Sequence, residues 1–170
     1  MPPEMTREEP QPVADETTAL TQWLDFQRAT LLWKCEGLDG SQLARHSVPP
    51  SGLSLLGLVR HMLLVEWWWF DHIFAGGASL APIPTDEDPD AEFNDLNPDQ
   101  AEEALAMFAT QCDVSRAIVA AAESLDALSV SDERETKDLR WVLIHMIEEY
   151  ARHNGHADLL RECIDGVVGD

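Results

Sequence analysis

The stretch from Leu53 to Phe74 constrains the fold most, because it is the most apolar part of the chain. Apolar residues lie on almost every side of a helix drawn through it, and such a helix belongs in the middle of a bundle. Its length also suits a membrane span, but five ionisable residues interrupt it. These residues are Arg60, His61, Glu66, Asp71 and His72. We therefore predict a buried core helix over about 54–74 that stops at the glycines 76 and 77.

Three other segments repeat their apolar residues at helical spacing, and they cover about 15–36, 97–123 and 136–164. The second of these begins with Asn97 and Pro98, a capping side chain followed by a proline at the first helical position. We find no internal repeat and no strand signal longer than a few residues. The sequence thus predicts an all-α fold, a four-helix bundle.

Two segments lack apolar periodicity. Residues 1–14 hold four prolines among acids and are predicted to be a disordered tail, which leaves 15–170 as a single domain. Residues 78–97 are rich in proline and acids and are predicted to be a long exposed crossover between helices two and three, with an active-site lid as the alternative. Acids alternate at 86, 88 and 90 as in a calcium loop, but Ala91 and Asn97 occupy the places of its glycine and closing glutamate, so we reject an EF-hand.

Charge and cysteine content narrow the function classes. The formal net charge is −21, which disfavours nucleic acids and anionic membranes as partners because the protein would repel their phosphates. The three cysteines form no C-x-x-C pair and are interpreted as inert, reduced thiols. The acidic, proline-rich start differs from a signal peptide, so a cytoplasmic location is expected.

The fourth helix carries polar side chains on the face predicted to point inward. That stripe follows steps of three or four residues through Leu139, Val142, Met146, Glu149, His153, His156, Leu160 and Ile164. A carboxylate and imidazoles at core positions cost free energy unless they are paired or bind a cation. The stripe therefore indicates a polar site inside the bundle.

A divalent metal explains this stripe. Glu149 and His153 lie one helical turn apart and can converge on one ion, and His61 on helix two is the natural third ligand. One carboxylate and two imidazoles suit zinc, with nickel, iron(II) or manganese as alternatives, and three ligands leave a position open as in catalytic sites. The pairs His145/Glu149 and His153/His156 are rival ligand choices, and a hydrogen-bonded core role is the alternative for His61.

His145 and the tryptophans at 67–69 lie near the proposed metal ligands in the sequence but are not interpreted as ligands. His145 lies about 12 Å along the axis from His153, too far to share its ion, and is interpreted as an outer partner or a core group. The three tryptophans at 67–69 cannot all face one way, so some fill the core and one lines a pocket or a dimer contact.

The chain resembles the DinB-like superfamily of four-helix-bundle metalloproteins, and within it the actinobacterial branch labelled "mini-circle protein". The likeness spans about residues 15–165. The matching stretches are QRATLLWKCEGL at 27–38, VPPS at 48–51, LLGLVRHM at 55–62, DPD at 88–90, HMIEE at 145–149 and ARHNGHAD at 151–158.

The resemblance implies a bundle that binds one divalent metal through a histidine of helix two and two groups a turn apart on the last helix. Those positions are His61, Glu149 and His153 here, although many members have histidine in place of Glu149. The superfamily includes S-transferases that use low-molecular-weight thiols such as bacillithiol and mycothiol. It also includes a mycothiol-dependent maleylpyruvate isomerase with a His, Glu and His ligand set, but that enzyme carries a further C-terminal domain, so isomerase activity is not implied.

The function expected from these observations is a metal-dependent S-transferase of the mycothiol type. The metal, zinc or nickel, would activate the thiol as a thiolate for attack on an electrophilic small molecule. His156, one turn beyond His153, is the catalytic candidate and would orient a ligand or move a proton. The alternatives are a metal-assisted hydrolase and a non-catalytic metal-binding or dimeric scaffold, and a homodimer is the default for a small bundle.

Overall fold

A computed structural model describes residues 6–77, 80–83, 88, 90–94, 96–133 and 135–169. Its helices are α1 (Glu16–Cys35), α2 (Gly40–Leu43), α3 (Leu55–Glu66), α4 (Ala91–Asn94), α5 (Ala101–Ala121) and α6 (Leu139–Asp165). A π-helical segment, Trp67–Phe74, continues α3, and a 3-10 turn, Pro98–Gln100, leads into α5. Within the described residues the only β-structure is an isolated antiparallel bridge between Leu128 and Asp138.

The four long helices form a bundle, which confirms the predicted all-α class. α1 packs chiefly against α6, α3 packs chiefly against α5, and α3 also contacts α1 and α6. The segment formed by α3 and its π-helical continuation is the most deeply buried. Its fully buried side chains include Leu55, Leu58, Val59, Met62, Phe70 and Ile73. The helix predicted to be buried on all sides therefore lies at the centre of the bundle.

Polar caps set the helix ends. Ser54 accepts a hydrogen bond from the backbone N–H of Gly57 and starts α3, and Asn97 caps the turn before α5 as predicted. The last helix begins at Leu139, later than the predicted residue 136. The reason is that Asp138 caps α6 through the N–H of Trp141 and also forms the bridge to Leu128, which holds the preceding backbone extended.

The inward face of α6 departs from the predicted stripe at its centre. Tyr150, Asn154 and Ala157 are the buried positions, whereas Glu149, His153 and His156 are partly exposed beside them. A helical turn takes 3.6 residues, so either Glu149 or Tyr150 can follow Met146 inward, and the large tyrosine ring fills the core. The polar residues consequently lie along the edge of the core, where α6 faces α3.

The predicted exposed crossover over 78–97 contains buried residues among those that the structure describes. Residues 91–94 form α4, which packs on α3, and Glu92 is buried to 5% relative exposure. Ile83 is also buried. Residues 78–79, 84–87, 89 and 95 lie outside the described residues, so the acid at 86 of the rejected calcium loop is among them.

The helical stretch Pro98–Ala121 is the only one within the described ranges that is long and apolar enough to cross a membrane. Length and composition alone produce this result, and core helices of bundles meet the same criteria. Leu105, Phe108 and Cys112 of this stretch lie in the hydrophobic core.

The described part of the N-terminal segment contacts α1. The Arg7 guanidinium lies over the Phe26 ring at 4.5 Å and over the Trp33 ring at 4.8 Å. Its Nε donates a hydrogen bond to Thr30 Oγ1 at 3.1 Å. All three contacts are made with side chains of α1.

Candidate metal centre

Two helices bring the three predicted ligands together. His61 comes from α3, and Glu149 and His153 come from adjacent turns of α6. One donor atom from each of the three side chains lies within 4.8 Å of the others. The His61 and His153 rings meet edge to face with centroids 4.8 Å apart. The convergence expected from the spacing on α6 and the burial of α3 is therefore present.

Glu149 lies between two imidazoles. Its Oε2 is 3.5 Å from His153 Nε2 and its Oε1 is 3.6 Å from His145 Nε2. These separations are too long for strong hydrogen bonds. The carboxylate, which is 23% exposed, thus keeps lone pairs available for a cation.

Each candidate histidine has an outer partner at Nδ1. His61 Nδ1 is 3.2 Å from Glu92 Oε1, and His153 Nδ1 is 3.4 Å from His156 Nδ1. A neutral imidazole carries one N–H and one lone pair, so a proton at Nδ1 leaves the Nε2 lone pair free. Metal-binding histidines usually hold their second ring nitrogen in this way.

His153 is held in its neutral form. Burial of the ring disfavours the imidazolium, and the neighbouring His61 and His156 add to this effect, so the pKa of His153 falls from 6.5 to about 4. At neutral pH a proton therefore does not compete with a metal for the His153 lone pair.

This donor set fits a divalent metal. Zinc bonds of about 2.0–2.1 Å place neighbouring tetrahedral donors about 3.4 Å apart, so the present spread of up to 4.8 Å closes with small side-chain movements. The His61 and His153 side chains are 21% and 13% exposed and have space to adjust. Three protein donors leave at least one coordination position for another ligand.

The rival set around His145 has a different character. His145, Glu148 and Glu149 also bring donor atoms within 4.8 Å, but all three belong to α6. Glu148 is already paired with Arg152. The His145 ring stacks on Trp141 at 4.9 Å, so its surroundings are largely aromatic. The trio that includes His61 is the better candidate because two helices supply it and its outer partners are in place.

The sequence does not indicate Glu92 as a site residue, and it does not place Trp69 and Trp141 beside His145. Glu92 belongs to a run of acids in which no spacing distinguishes a buried member from exposed ones; the adjacent Phe93, which stacks on His61 at 5.1 Å, is the one apolar signal. Trp69 and Trp141 are 72 residues apart in the sequence, and no motif connects them, yet their ring centroids are 5.1 Å apart.

The fold is a helical bundle, and the site contains a group of side chains that could hold one metal ion. A family model described as mycothiol S-transferase matches residues 19–166, and the chain belongs to that family. None of the curated proteins compared with the chain matches it. Membership confirms the predicted relationship to mycothiol-dependent enzymes and implies a thiol and an electrophile as substrates.

Proposed function

We propose that this protein is a divalent-metal-dependent S-transferase that joins mycothiol, or a closely related thiol, to an electrophilic small molecule. The observation that carries the proposal is the convergence of His61, Glu149 and His153 within 4.8 Å in a chain of this family. Zinc is the first choice of metal and nickel the second, because a mixed set of imidazoles and a carboxylate suits a borderline ion.

The chemistry needs a thiolate near neutral pH, whereas a free thiol has a pKa of about 8.5. His61, Glu149 and His153 would hold a divalent ion, and its Lewis acidity would lower the pKa of a bound thiol. The carboxylate of Glu149 would offset part of that ion's positive charge, whereas the two imidazoles would leave the remainder to lower the pKa of the thiol.

The transfer forms a carbon–sulfur bond. The thiol loses its proton, and the electrophile either releases a leaving group with its bonding pair or takes up a proton beside the carbon that is attacked. We assign His156 a part in this step. Its Nδ1 accepts the Nδ1 proton of His153 in the arrangement that leaves His153 Nε2 free, so the Nε2–H of His156 is available as a donor to substrate.

The buried cysteines of this chain are not the nucleophile in this proposal. Burial raises the pKa of the Cys35 thiol to about 12, and burial followed by the charge of Glu66 raises that of Cys112 still further. In this proposal the nucleophilic sulfur belongs to the small-molecule thiol and not to a cysteine of the protein. A cytoplasmic location, where such thiols stay reduced, remains part of the proposal, and the homodimer stays a prediction.

The test is thiol transfer by zinc-loaded, untagged protein with mycothiol and a fluorogenic alkyl halide. We expect thioether formation that requires both thiol and metal, and that Glu149→Gln abolishes. Glu162→Gln, an exposed change on the same helix, should leave the rate unchanged. Equal rates in the metal-free protein would contradict the proposal.

The same assay separates the alternative functions. Turnover of an ester or amide without thiol would indicate a metal-assisted hydrolase. Loss of stability on chelation without turnover of any substrate would indicate a metal that serves only as a structural link between α3 and α6.

A further inference from the structure

Glu92 is a buried carboxylate with an incomplete set of partners. Its relative exposure is 5%, and its Oε1 lies 3.2 Å from His61 Nδ1. Its Oε2 is buried and has no hydrogen-bond partner among the residues that the structure describes. Removing a carboxylate from water costs free energy that a single contact with an imidazole does not offset. A positive charge on or next to His61 would offset that cost.

The backbone of α4 is fixed by contacts that do not involve the Glu92 carboxylate. Arg60 donates hydrogen bonds to the carbonyl oxygens of Glu92 and Ala91 at 3.1 and 3.0 Å. Phe93 stacks on the His61 ring. A Cβ at residue Gly57 would lie 3.1 Å from Phe93 Cδ1, so the missing side chain allows this close approach. The contacts of Arg60 and Phe93 thus hold α4 in a position that places the Glu92 carboxylate next to His61.

A carboxylate at Nδ1 determines which nitrogen of His61 carries the proton. It accepts the Nδ1–H and so favours the tautomer with a free Nε2 lone pair, whereas a free histidine side chain prefers the opposite tautomer. Its negative charge also makes the ring a stronger ligand. His153 Nδ1 faces the imidazole of His156 instead of a carboxylate, so the two candidate ligands have chemically different outer partners.

We propose that Glu92 is a positioning residue that fixes His61 as the Nδ1–H tautomer and strengthens metal binding through it. The inference rests on the proposed function for its metal, but the tautomer exists in the metal-free protein. The crossover between α3 and α5 therefore contributes to the site through α4, although it supplies none of the three proposed metal ligands.

The first experiment reads the tautomer in metal-free, ¹⁵N-histidine-labelled protein by long-range ¹H–¹⁵N spectra, with the His61 signals assigned through His61→Gln. We expect the Nδ1–H form in the wild type and a shift toward the Nε2–H form in Glu92→Ala. An Nε2–H tautomer of His61 in the wild type would overturn the proposal, whether or not the protein binds metal.

The second experiment measures zinc affinity by competition with a chromophoric chelator. We expect Glu92→Ala to weaken zinc binding about 10–100-fold and Glu92→Gln to weaken it less, because the amide oxygen still accepts the proton but lacks the charge. Glu162→Ala is the matched exposed control and should change nothing. Affinities of both Glu92 variants equal to that of the control would overturn the proposal.

Glu92→Gln keeps the test decisive if Glu92→Ala does not fold, because the amide has the same size as the carboxyl group. A weaker zinc affinity in folded Glu92→Gln supports the proposal, and an unchanged affinity contradicts it. A wild type that takes up no zinc would refute the proposed function instead, and the His61 tautomer would still decide the role of Glu92.

Discussion

Two groups of polar side chains lie between α3 and its neighbours, and they differ in how completely the chain satisfies them. In the first, which we call the core network, Arg28 donates two hydrogen bonds of 2.7 Å to the carboxylate of Glu66, and Tyr150 donates a third at the same distance. The exposure of these three residues is 2% or less. Both oxygens of the Glu66 carboxylate thus accept hydrogen bonds from within the protein.

The second group is the candidate metal centre. Its members are 13–23% exposed, and the distances from Glu149 to its two histidine neighbours are 3.5 and 3.6 Å. Tyr150 of the core network directly follows Glu149 of the centre, so one turn of α6 serves both groups. Polar residues at a helix interface can therefore serve two purposes. Where their hydrogen-bonding atoms all have partners within the protein, they link the helices; where lone pairs remain without partners, they can bind a ligand.

The largest expected effect comes from opening the core network. Arg28→Met leaves the Glu66 carboxylate buried without its cation and should lower the free energy of unfolding by about 3–5 kcal/mol. Urea unfolding of metal-free protein measures it. The double variant Arg28→Met/Glu66→Met should recover much of the loss, because the uncompensated charge is gone. A single-variant loss below about 1 kcal/mol would mean that the network is not the structural link described here.

The corresponding change at the metal centre should affect stability mainly when metal is present. Zinc at 100 times its dissociation constant should stabilise the wild type by about 2.7 kcal/mol. His153→Ala should gain nothing from zinc, and without metal it should differ from the wild type by about 1 kcal/mol or less. Thermal unfolding with and without zinc measures both values. Equal stabilisation of the variant and the wild type would contradict the assignment of His153.

The pH dependence of the metal-free protein should sharpen the contrast. Histidine ordinarily has a pKa of 6.5, which applies to His153 in the unfolded chain, whereas in the folded chain the pKa of His153 is about 4. Between these two pH values the unfolded chain therefore binds more protons than the folded chain. Stability should therefore fall as the pH drops from about 6.5 to about 4, with a limiting slope of about 1.4 kcal/mol per pH unit that partial exposure reduces.

His153→Gln provides the control for this pH profile, since it removes the titrating group and retains a polar side chain. The difference in unfolding free energy between wild type and variant should be constant above pH 6.5 and shrink or reverse below it. A difference that does not change with pH would show that His153 titrates normally.

The smallest effect is expected from changes at Cys163, because modifying or replacing this exposed residue should not alter the stability of the protein. Cys163 is exposed, whereas Cys35 and Cys112 are buried and their thiol pKa values are raised. Iodoacetamide should therefore modify only Cys163 in the folded protein, and Cys163→Ser should retain full transfer activity. Modification of a second cysteine before unfolding, as counted by mass spectrometry, would contradict the burial of Cys35 and Cys112.

Periodicity was sufficient to predict the bundle. The spacing of apolar residues located all four long helices, and Asn97 marked a helix start that the structure retains. It did not resolve which of Glu149 and Tyr150 points inward, because both positions satisfy steps of three or four from Met146. Side-chain size settles that choice, and only packing against α3 shows it.

The trio His61, Glu149 and His153 was also within reach of the sequence, because two members share a helix and the third is a polar exception in an apolar one. Glu92 was not, since its burial depends on α4 folding back onto α3 at Gly57, a contact between segments 35 residues apart. The core network was hidden for the same reason: Arg28 and Glu66 are 38 residues apart, and each alone has the pattern of a surface charge.

The most direct test of the account is the metal content of untagged protein by plasma mass spectrometry, with circular dichroism to confirm folding. We expect about one equivalent of zinc or nickel in the wild type and in His145→Ala, and none in folded His61→Ala or His153→Ala. A folded wild type that contains no metal and takes up none of the added divalent ions would contradict the central claim. So would ligand variants that retain the full equivalent.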